Sequence, residues 1–455
     1  MGDSSRQITE GVIWKQLLLF FFPILMGSFF QQMYNTVDTI IVGRCVGTHA
    51  LAAVGASSPI INLVGNFFIG VSSGATVILS QCCGAGDRRG SSAAMHTGMA
   101  LAVTLGALVM VLGITLSPHI LRLIGTPESS LDDAVIYSRI YFAGSIASMV
   151  YNMGAGILRA MGDSKRPMFF LIAACVTNIV LDLFFVVVLK MGVAGVGLAT
   201  VLSQVASAAL VVWVLVRQTG EEKLEIQKIR FHASLLGRIL AIGIPAGLQY
   251  VMFDLSNLIV QAGINSFGDA AIAAWAAYAK SDAITWMISG AFGVAVTTFV
   301  GQNFGAQKYD RIRKCVRVAM TMSIAIVGAL SLILVTFRFF ILGIYTADQE
   351  VIRIGGEMMT QIVVFNALFM PIEIFAAAMR GTGCALPPTL IMVTCVCLTR
   401  VVWVLTMVPR FHSLHTVTIV YPLSWALASA VFLIVYLRGN WLKKRIAALG
   451  MEPET

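Results

Sequence analysis

Charge is what this 455-residue chain has least of. Only 12% of its residues are Asp, Glu, Lys or Arg, against 58% hydrophobic ones, whereas soluble globular proteins carry about 25% charge. With a mean hydropathy of +0.86, that deficit excludes a water-soluble globular protein. Long polar stretches are lacking too. Apolar windows near the ~20 residues needed to cross a bilayer follow one another with short loops between, leaving no room for a separate soluble domain. Strand alternation is absent. A lipid-exposed backbone must close its hydrogen bonds within its own segment, so these windows are read as helices. Metal-ligand spacing is missing as well: the six His are scattered, and the eight Cys lie in or beside apolar windows, where they read as small packing residues. No grouped nucleophile and base suggests an enzyme, and no short filter loop suggests a channel. No small-residue cleavage site follows the first window, which argues against a removable signal peptide.

What is present is a duplication. Residue i and residue i+221 share landmark after landmark: Gly47, Ala50, Ala52 and Ala53 fall on Gly268, Ala271, Ala273 and Ala274; Gln81, Gly84 and Ala85 on Gln302, Gly305 and Ala306; Arg159, Gly162 and Pro167 on Arg380, Gly383 and Pro388. Twelve apolar windows, centred near Leu25, Ile69, Val103, Ser145, Val176, Leu202, Val251, Gly290, Ile324, Phe365, Val396 and Leu427, divide six and six. The pattern predicts an all-α membrane protein of twelve transmembrane helices in two pseudo-symmetric six-helix lobes with a central cavity, the layout of a transporter. The expected boundaries are 1–217 for the N-terminal lobe, 218–236 for an inter-lobe linker, 237–440 for the C-terminal lobe and 441–455 for a tail. The Glu/Lys mixture of the linker suits a short amphipathic surface helix or a solvated charged loop.

The net charge of +9 does not indicate a nucleic-acid partner. Lys and Arg gather on alternate loops, at Arg88–Arg89, Lys165–Arg166, Arg217 to Arg238, Lys308 to Arg317 and Lys443 to Arg445. That bias places both termini in the cytoplasm, and an even number of spans requires them to agree.

Ionisable groups at membrane depth cost roughly 2.5–3.5 kcal/mol each at mid-helix, so function is their default reading. In the first half these are Asp38 in NTVDTIIVGR and Asp182 in TNIVLDLFF. Asn178 lies four residues before Asp182 and so on the same helix face. Asn152 adds an amide in the fourth window, and Thr200, Ser203, Gln204 and Ser207 form a polar stripe on the sixth. A lone carboxylate in a low-dielectric pocket relieves its desolvation by binding a proton or a small cation. Two sharing one pocket titrate together. Amide and hydroxyl oxygens complete a hard-cation shell, so Na+ and H+ compete for the same atoms. Asp254 and Glu373 supply acids in the second half, as a second acidic site for ion or cationic cargo, or as partners of Arg400 or Lys280. Pro23 either kinks the first span, as a hinge, or marks its start.

These residues resemble those of the multidrug and toxic compound extrusion (MATE) transporters over essentially the whole chain. The first-span NTVDTIIVGR segment, the paired Gln81/Gly84/Ala85 and Gln302/Gly305/Ala306 landmarks, NIVLD at 178–182 and the two-times-six arrangement carry the likeness. The family's fifth-span Asp, with Asn four residues before and Thr eighteen after, matches Asn178, Asp182 and Thr200; its first-span Asp and bending proline match Asp38 and Pro23; its fourth-span amide matches Asn152; its C-lobe acidic pair matches Asp254 and Glu373. The resemblance implies a monomeric antiporter in a bacterial inner membrane, surrounded by lipid. It would need no cofactor beyond Na+ or H+ as coupling ion, and would export small-molecule organic cations. Asp38, Asn178, Asp182 and Thr200 would be the ion ligands, including for Na+, with Asn152 beside them. A lipid-linked saccharide flippase of the same superfamily is the nearest alternative, disfavoured by mainly acidic intramembrane charge. A major-facilitator exporter is another; Asp87, Arg88 and Gly90 echo its loop motif, but Ser91 stands where a basic residue belongs.

Overall fold

The computed structural model describes residues 8–218, 223–438 and 441–448, and every regular element among them is helical. Eleven continuous helical stretches are long and apolar enough to cross a membrane. The first half runs α1 (Ile13–Ile41), α2 (Thr48–Ala85), α3 (Arg88–Leu123), α4 (Glu128–Ala143), α5 (Ser145–Ala160), α6 (Lys165–Asp182) and α7 (Gly192–Val216). The second half runs α8 (Ala233–Asn265), α9 (Asp269–Gly305), α10 (Tyr309–Thr336), α11 (Gln349–Ile362), α12 (Phe369–Gly381), α13 (Leu386–Ile391), α14 (Thr399–Thr406) and α15 (Val420–Arg438).

The fourth span departs from a single helix. It is made of α4 and α5, sixteen residues each, on either side of Gly144. A Cβ at Gly144 would lie 2.8 Å from Cγ2 of Val201 on α7. The break therefore falls where a neighbouring helix needs the room of a missing side chain.

The duplication is visible in the backbone. Helix starts at Thr48 and Asp269, Arg88 and Tyr309, and Lys165 and Leu386 differ by 221 in each case. Gly47 and Gly268, which precede α2 and α9, have φ of 120° and 90°, and Gly162 and Gly383 have φ of 92° and 83°. Those angles suit glycine and little else, so the same turns recur in both halves.

By internal packing the described residues form two units, those within 8–9 and 19–247 and those within 10–18 and 248–448. The opening helix of each half is thus divided. Residues 10–18, which include the start of α1, belong with the second unit, where Arg311 donates to the carbonyls of Glu10 and Gly11 and to Oε1 of Gln16, each at 2.8 Å. The first part of α8 belongs with the first unit, held by glycines spaced four apart on both helices. A Cβ on Gly70 would meet Gly247 Cα at 2.4 Å, and one on Gly74 would meet the Ile239 carbonyl at 2.3 Å.

Between α7 and α8 the described residues hold one 3-10 turn, Ile226–Lys228, rather than a longer amphipathic helix; residues 219–222 of the expected linker lie outside the described residues. This strap is pinned to α3 by the Glu225 N–H on His96 Nε2 (3.1 Å) and by Thr97 Oγ1 with His232 Nδ1 (3.0 Å). Residues 441–448 of the expected tail form a helix; residues 449–455 are outside the description. Large apolar side chains such as Phe169, Val180, Leu332 and Phe340 stand exposed, as a lipid-facing surface requires.

The glycine contact yields a stability prediction. Gly70→Ala should lower the thermal unfolding midpoint of the purified protein, by overpacking worth about 1–3 kcal/mol. Gly55→Ala, where a Cβ meets nothing within 4 Å, should leave it unchanged or raised. Equal midpoints would show that α2 and α8 separate freely.

Candidate functional site

In the first unit four of the residues singled out from sequence come together. Asp38 sits one turn before the end of α1, which continues as a π-helical segment, Val42–Val46. Asn178 and Asp182 occupy the last turn of α6, and a second π segment, Leu183–Val188, follows directly. Such wide turns free backbone groups from the α-helical ladder and are frequent at functional sites. Thr200 lies on α7. Asn178 and Asp182 are wholly buried, Thr200 is 3% exposed and Asp38 8%.

The Thr200 hydroxyl donates to Asp38 Oδ2 at 3.2 Å, and Asp182 and Asn178 are the other polar side chains against Asp38. That one bond leaves much unmet. Asp38 Oδ1, both oxygens of Asp182, and the oxygen and nitrogen of the Asn178 amide have no hydrogen-bond partner. Four buried acceptor oxygens on three side chains, without a basic residue in the cluster, form a hard donor set for a proton or an alkali cation. Among the described residues there is no group of three or more His, Cys, Asp or Glu, so the donor set does not resemble a transition-metal centre.

Asn152 is placed differently. Its amide nitrogen donates to the Ser148 carbonyl of its own helix at 2.9 Å, and it is not among the polar neighbours of Asp38. Sequence reading missed the tyrosines instead. Tyr34 and Tyr137 both lie within electrostatic range of Asp38, and Tyr137 within that of Asp182. The Tyr137 and Tyr141 rings are 6.4 Å apart. The spacing of Tyr34 to Asp38, and of Tyr137 to Tyr141, is four residues, a same-face signal that could have found them. Pro23 lies inside α1, buried, and the helix runs through it.

The second unit corrects one expectation. Glu373 pairs with neither Arg400 nor Lys280. Its Oε1 meets Nη2 of Arg380 at 3.1 Å, with side-chain exposures of 15% and 7%. Seven residues is two turns of one helix, so α12 neutralises its own acid. Asp254 is half-buried on α8. The fully enclosed acid of this unit is one the sequence reading passed over. Asp282 on α9 is 1% exposed. It accepts from Asn366 Nδ2 (2.8 Å), Trp286 Nε1 (3.0 Å) and the Tyr278 hydroxyl (3.3 Å). Tyr278, Asp282 and Trp286, four apart, share a helix face, which was the available signal.

Comparison with known proteins agrees with this geometry. The MatE family model matches residues 23–184 and 245–405, one stretch in each half. The chain is 30% identical over 455 residues to the probable multidrug resistance protein YoeA of Bacillus subtilis strain 168, covering 98% of both. It is 23% identical to the multidrug export protein MepA of Staphylococcus aureus strain MSSA476, over 90% of this chain and 94% of that one. The structure superposes on that of a MOP superfamily transporter from Pyrococcus furiosus with a TM-score of 0.89, at 21% identity and 99% coverage of each chain. A duplicated helical bundle that buries uncompensated carboxylates, matched by the family model in both halves, leads to one conclusion: the chain belongs to the MatE family and is a multi-pass membrane transporter.

Proposed function

We propose that the protein is a secondary antiporter that exports small organic compounds, cationic ones among them, in exchange for inward Na+ or H+. The observation that carries this reading is the Asp38–Asp182 pair, buried together with Asn178 and Thr200 and without a basic partner. Two carboxylates in one low-dielectric pocket cannot both stay charged and empty at modest cost. A monovalent cation entering the pocket removes that penalty, and its departure restores it. An alternating-access cycle needs such a difference between loaded and unloaded states. The likeness to YoeA, a probable multidrug resistance protein, and to MepA, a multidrug export protein, supports an organic cargo. The bacterial relatives support a bacterial cytoplasmic membrane, the alternate-loop bias of Lys and Arg supports both termini inside, and the protein acts as a monomer within lipid.

On this reading α1 is the responsive element. Pro23 removes one intrahelical bond from it, fifteen residues before Asp38, so binding at Asp38 is felt by a helix already weakened along its length. Glu373 has a different part. Held by Arg380, it is a structural tie of α12 rather than a coupling group.

Efflux from proteoliposomes under an imposed Na+ gradient, and separately under a pH gradient, tests the coupling. Asp38→Asn and Asp182→Asn should each slow gradient-driven efflux about tenfold or more, the scale of losing one charged ligand worth about 1.5–3 kcal/mol. Cargo binding without a gradient should persist. Wild-type rates in both variants would remove the pair from the mechanism. The gradient that drives efflux identifies the ion.

The structural tie has its own test. Arg380→Ala strands Glu373 and should destabilise the protein by about 3–5 kcal/mol, whereas the double change Glu373→Gln with Arg380→Met should cost less. Thermal unfolding in detergent compares them. A double variant as unstable as the single one would mean that Arg380 acts through other contacts.

A further inference from the structure

The second unit buries a positive charge that forms no ion pair among the described residues. Arg400 is the second residue of α14, which follows a third π-helical segment, Met392–Leu398, and is 0% exposed. Its Nε donates to Ser424 Oγ at 3.2 Å and its Nη1 to Asn257 Oδ1 at 2.7 Å. Its guanidinium carbon lies 4.3 Å from the Tyr421 ring centroid and 5.1 Å from that of Phe253. Nη2 has no partner. Among the described residues no carboxylate forms an ion pair with it. Asp282 is taken up by Asn366, Trp286 and Tyr278, and Glu373 by Arg380. A second donor nearby in the fold is also unmet: Nε1 of Trp425, wholly buried, on a ring 5.8 Å from that of Tyr421.

A guanidinium stays protonated in any protein setting, so Arg400 cannot shed its charge as a buried carboxylate can. The aromatic rings offset part of the desolvation, but π faces do not satisfy in-plane N–H groups. A buried charge lacking a counter-charge is strongly unfavourable. The unmet donors therefore mark a place for an anion.

We propose that the second unit holds a binding subsite for a small anionic group, centred on Arg400. The group is either a free halide or the carboxylate of a zwitterionic aromatic cargo. The repeat locates it. At the 221 offset Thr200 falls on Tyr421 and Asn178 falls on Thr399, the residue before Arg400. Neighbouring positions on matching spans thus hold unmet acceptor oxygens in one half, at Asn178 and Asp182, and an unmet donor nitrogen in the other, at Arg400. Asn257 and Phe253, one turn apart on α8, are only half-buried, and they give the way in. Asn257 supplies a neutral oxygen to Nη1, so it can yield to a charged one. The in-plane N–H edge of a guanidinium suits a planar carboxylate or a single halide.

The subsite does not depend on the antiport reading, because it is tested by equilibrium binding with no gradient. The full chain in detergent is titrated with sodium chloride, and separately with sodium benzoate, against sodium sulfate at constant Na+. Tryptophan fluorescence, to which Trp425 and Trp286 contribute, is the readout. Wild type should show a saturable change. Asn257→Asp places a fixed carboxylate on Nη1 and should weaken that response at least about tenfold, or 1.4 kcal/mol, while raising the unfolding midpoint without added anion. Arg400→Gln should abolish the response. Saturation by chloride alone identifies a free inorganic anion; saturation by benzoate but not chloride identifies a cargo carboxylate. No saturable response to either anion in wild type overturns the proposal, and so does an unchanged affinity in Asn257→Asp.

Discussion

A charge inside this bundle has no bulk water to solvate it, so its counter-charge must come from the protein or from outside. The buried ionisable groups sort themselves by how they meet that demand. Asp282 is enclosed by three donors on two helices. Glu373 is neutralised by Arg380 on its own helix. Asp38 has one hydroxyl donor, Thr200, and Asp182 has none. Arg400 has neutral oxygens and aromatic rings but, among the described residues, no ion-paired acid. The first two are complete and read as structure. The last two are incomplete, and incompleteness is what a transporter needs at the positions where its passengers bind and leave.

Duplication explains how one scaffold holds both kinds. Backbone demands are the same in each half: the positive φ at Gly47 and Gly268, and again at Gly162 and Gly383, sets the turns that launch equivalent helices. Interior side chains face no such demand, provided each is satisfied. Asn152 thus corresponds to Glu373, and Asp182 to Trp403. The arginines persist as Arg159 and Arg380, but only the second has an acid; Arg159 keeps a buried Nε without a partner. The folds stay parallel while the polarities diverge.

Much of this was legible in the sequence because it rests on composition and period. The spans follow from apolar length, the two halves from the 221 offset, and the first-unit site from lone polar residues at same-face spacing on apolar helices. What was not legible depends on partners distant in sequence. The break at Gly144 comes from Val201 on another span. Asp282 was legible only in part: Tyr278 and Trp286 lie four residues to either side, but Asn366 lies 84 residues away. The Glu373–Arg380 tie was overlooked although both residues are on one helix, since seven residues is beyond the usual three- and four-residue pairings. The π segments carry no sequence mark at all. They widen the helix after Asp38 and Asp182 and before Arg400, so they flank three of the charges left without full compensation.

The unequal burial of the first two helices bears on which of them responds to an ion. The second, α2, is buried along much of its length and is locked to α8 by glycine contacts that admit no side chain. Moving it would break those contacts along a whole seam. The first helix, α1, exposes Leu19, Phe22, Met26, Phe29 and Ile40, and its proline leaves the Leu19 carbonyl without its intrahelical donor. Near its far end the buried polar attachment is Asp38, joined to α7 through Thr200. If a cation is shared between Asp38 and Asp182, it ties α1 to α6 as well. Its loss leaves two acids in one pocket and gives α1 a reason to part from α6. The free energy of one ion at one pair is of the order of the few kcal/mol that separate conformational states, which suits a helix already weakened at one point and would not suffice for α2.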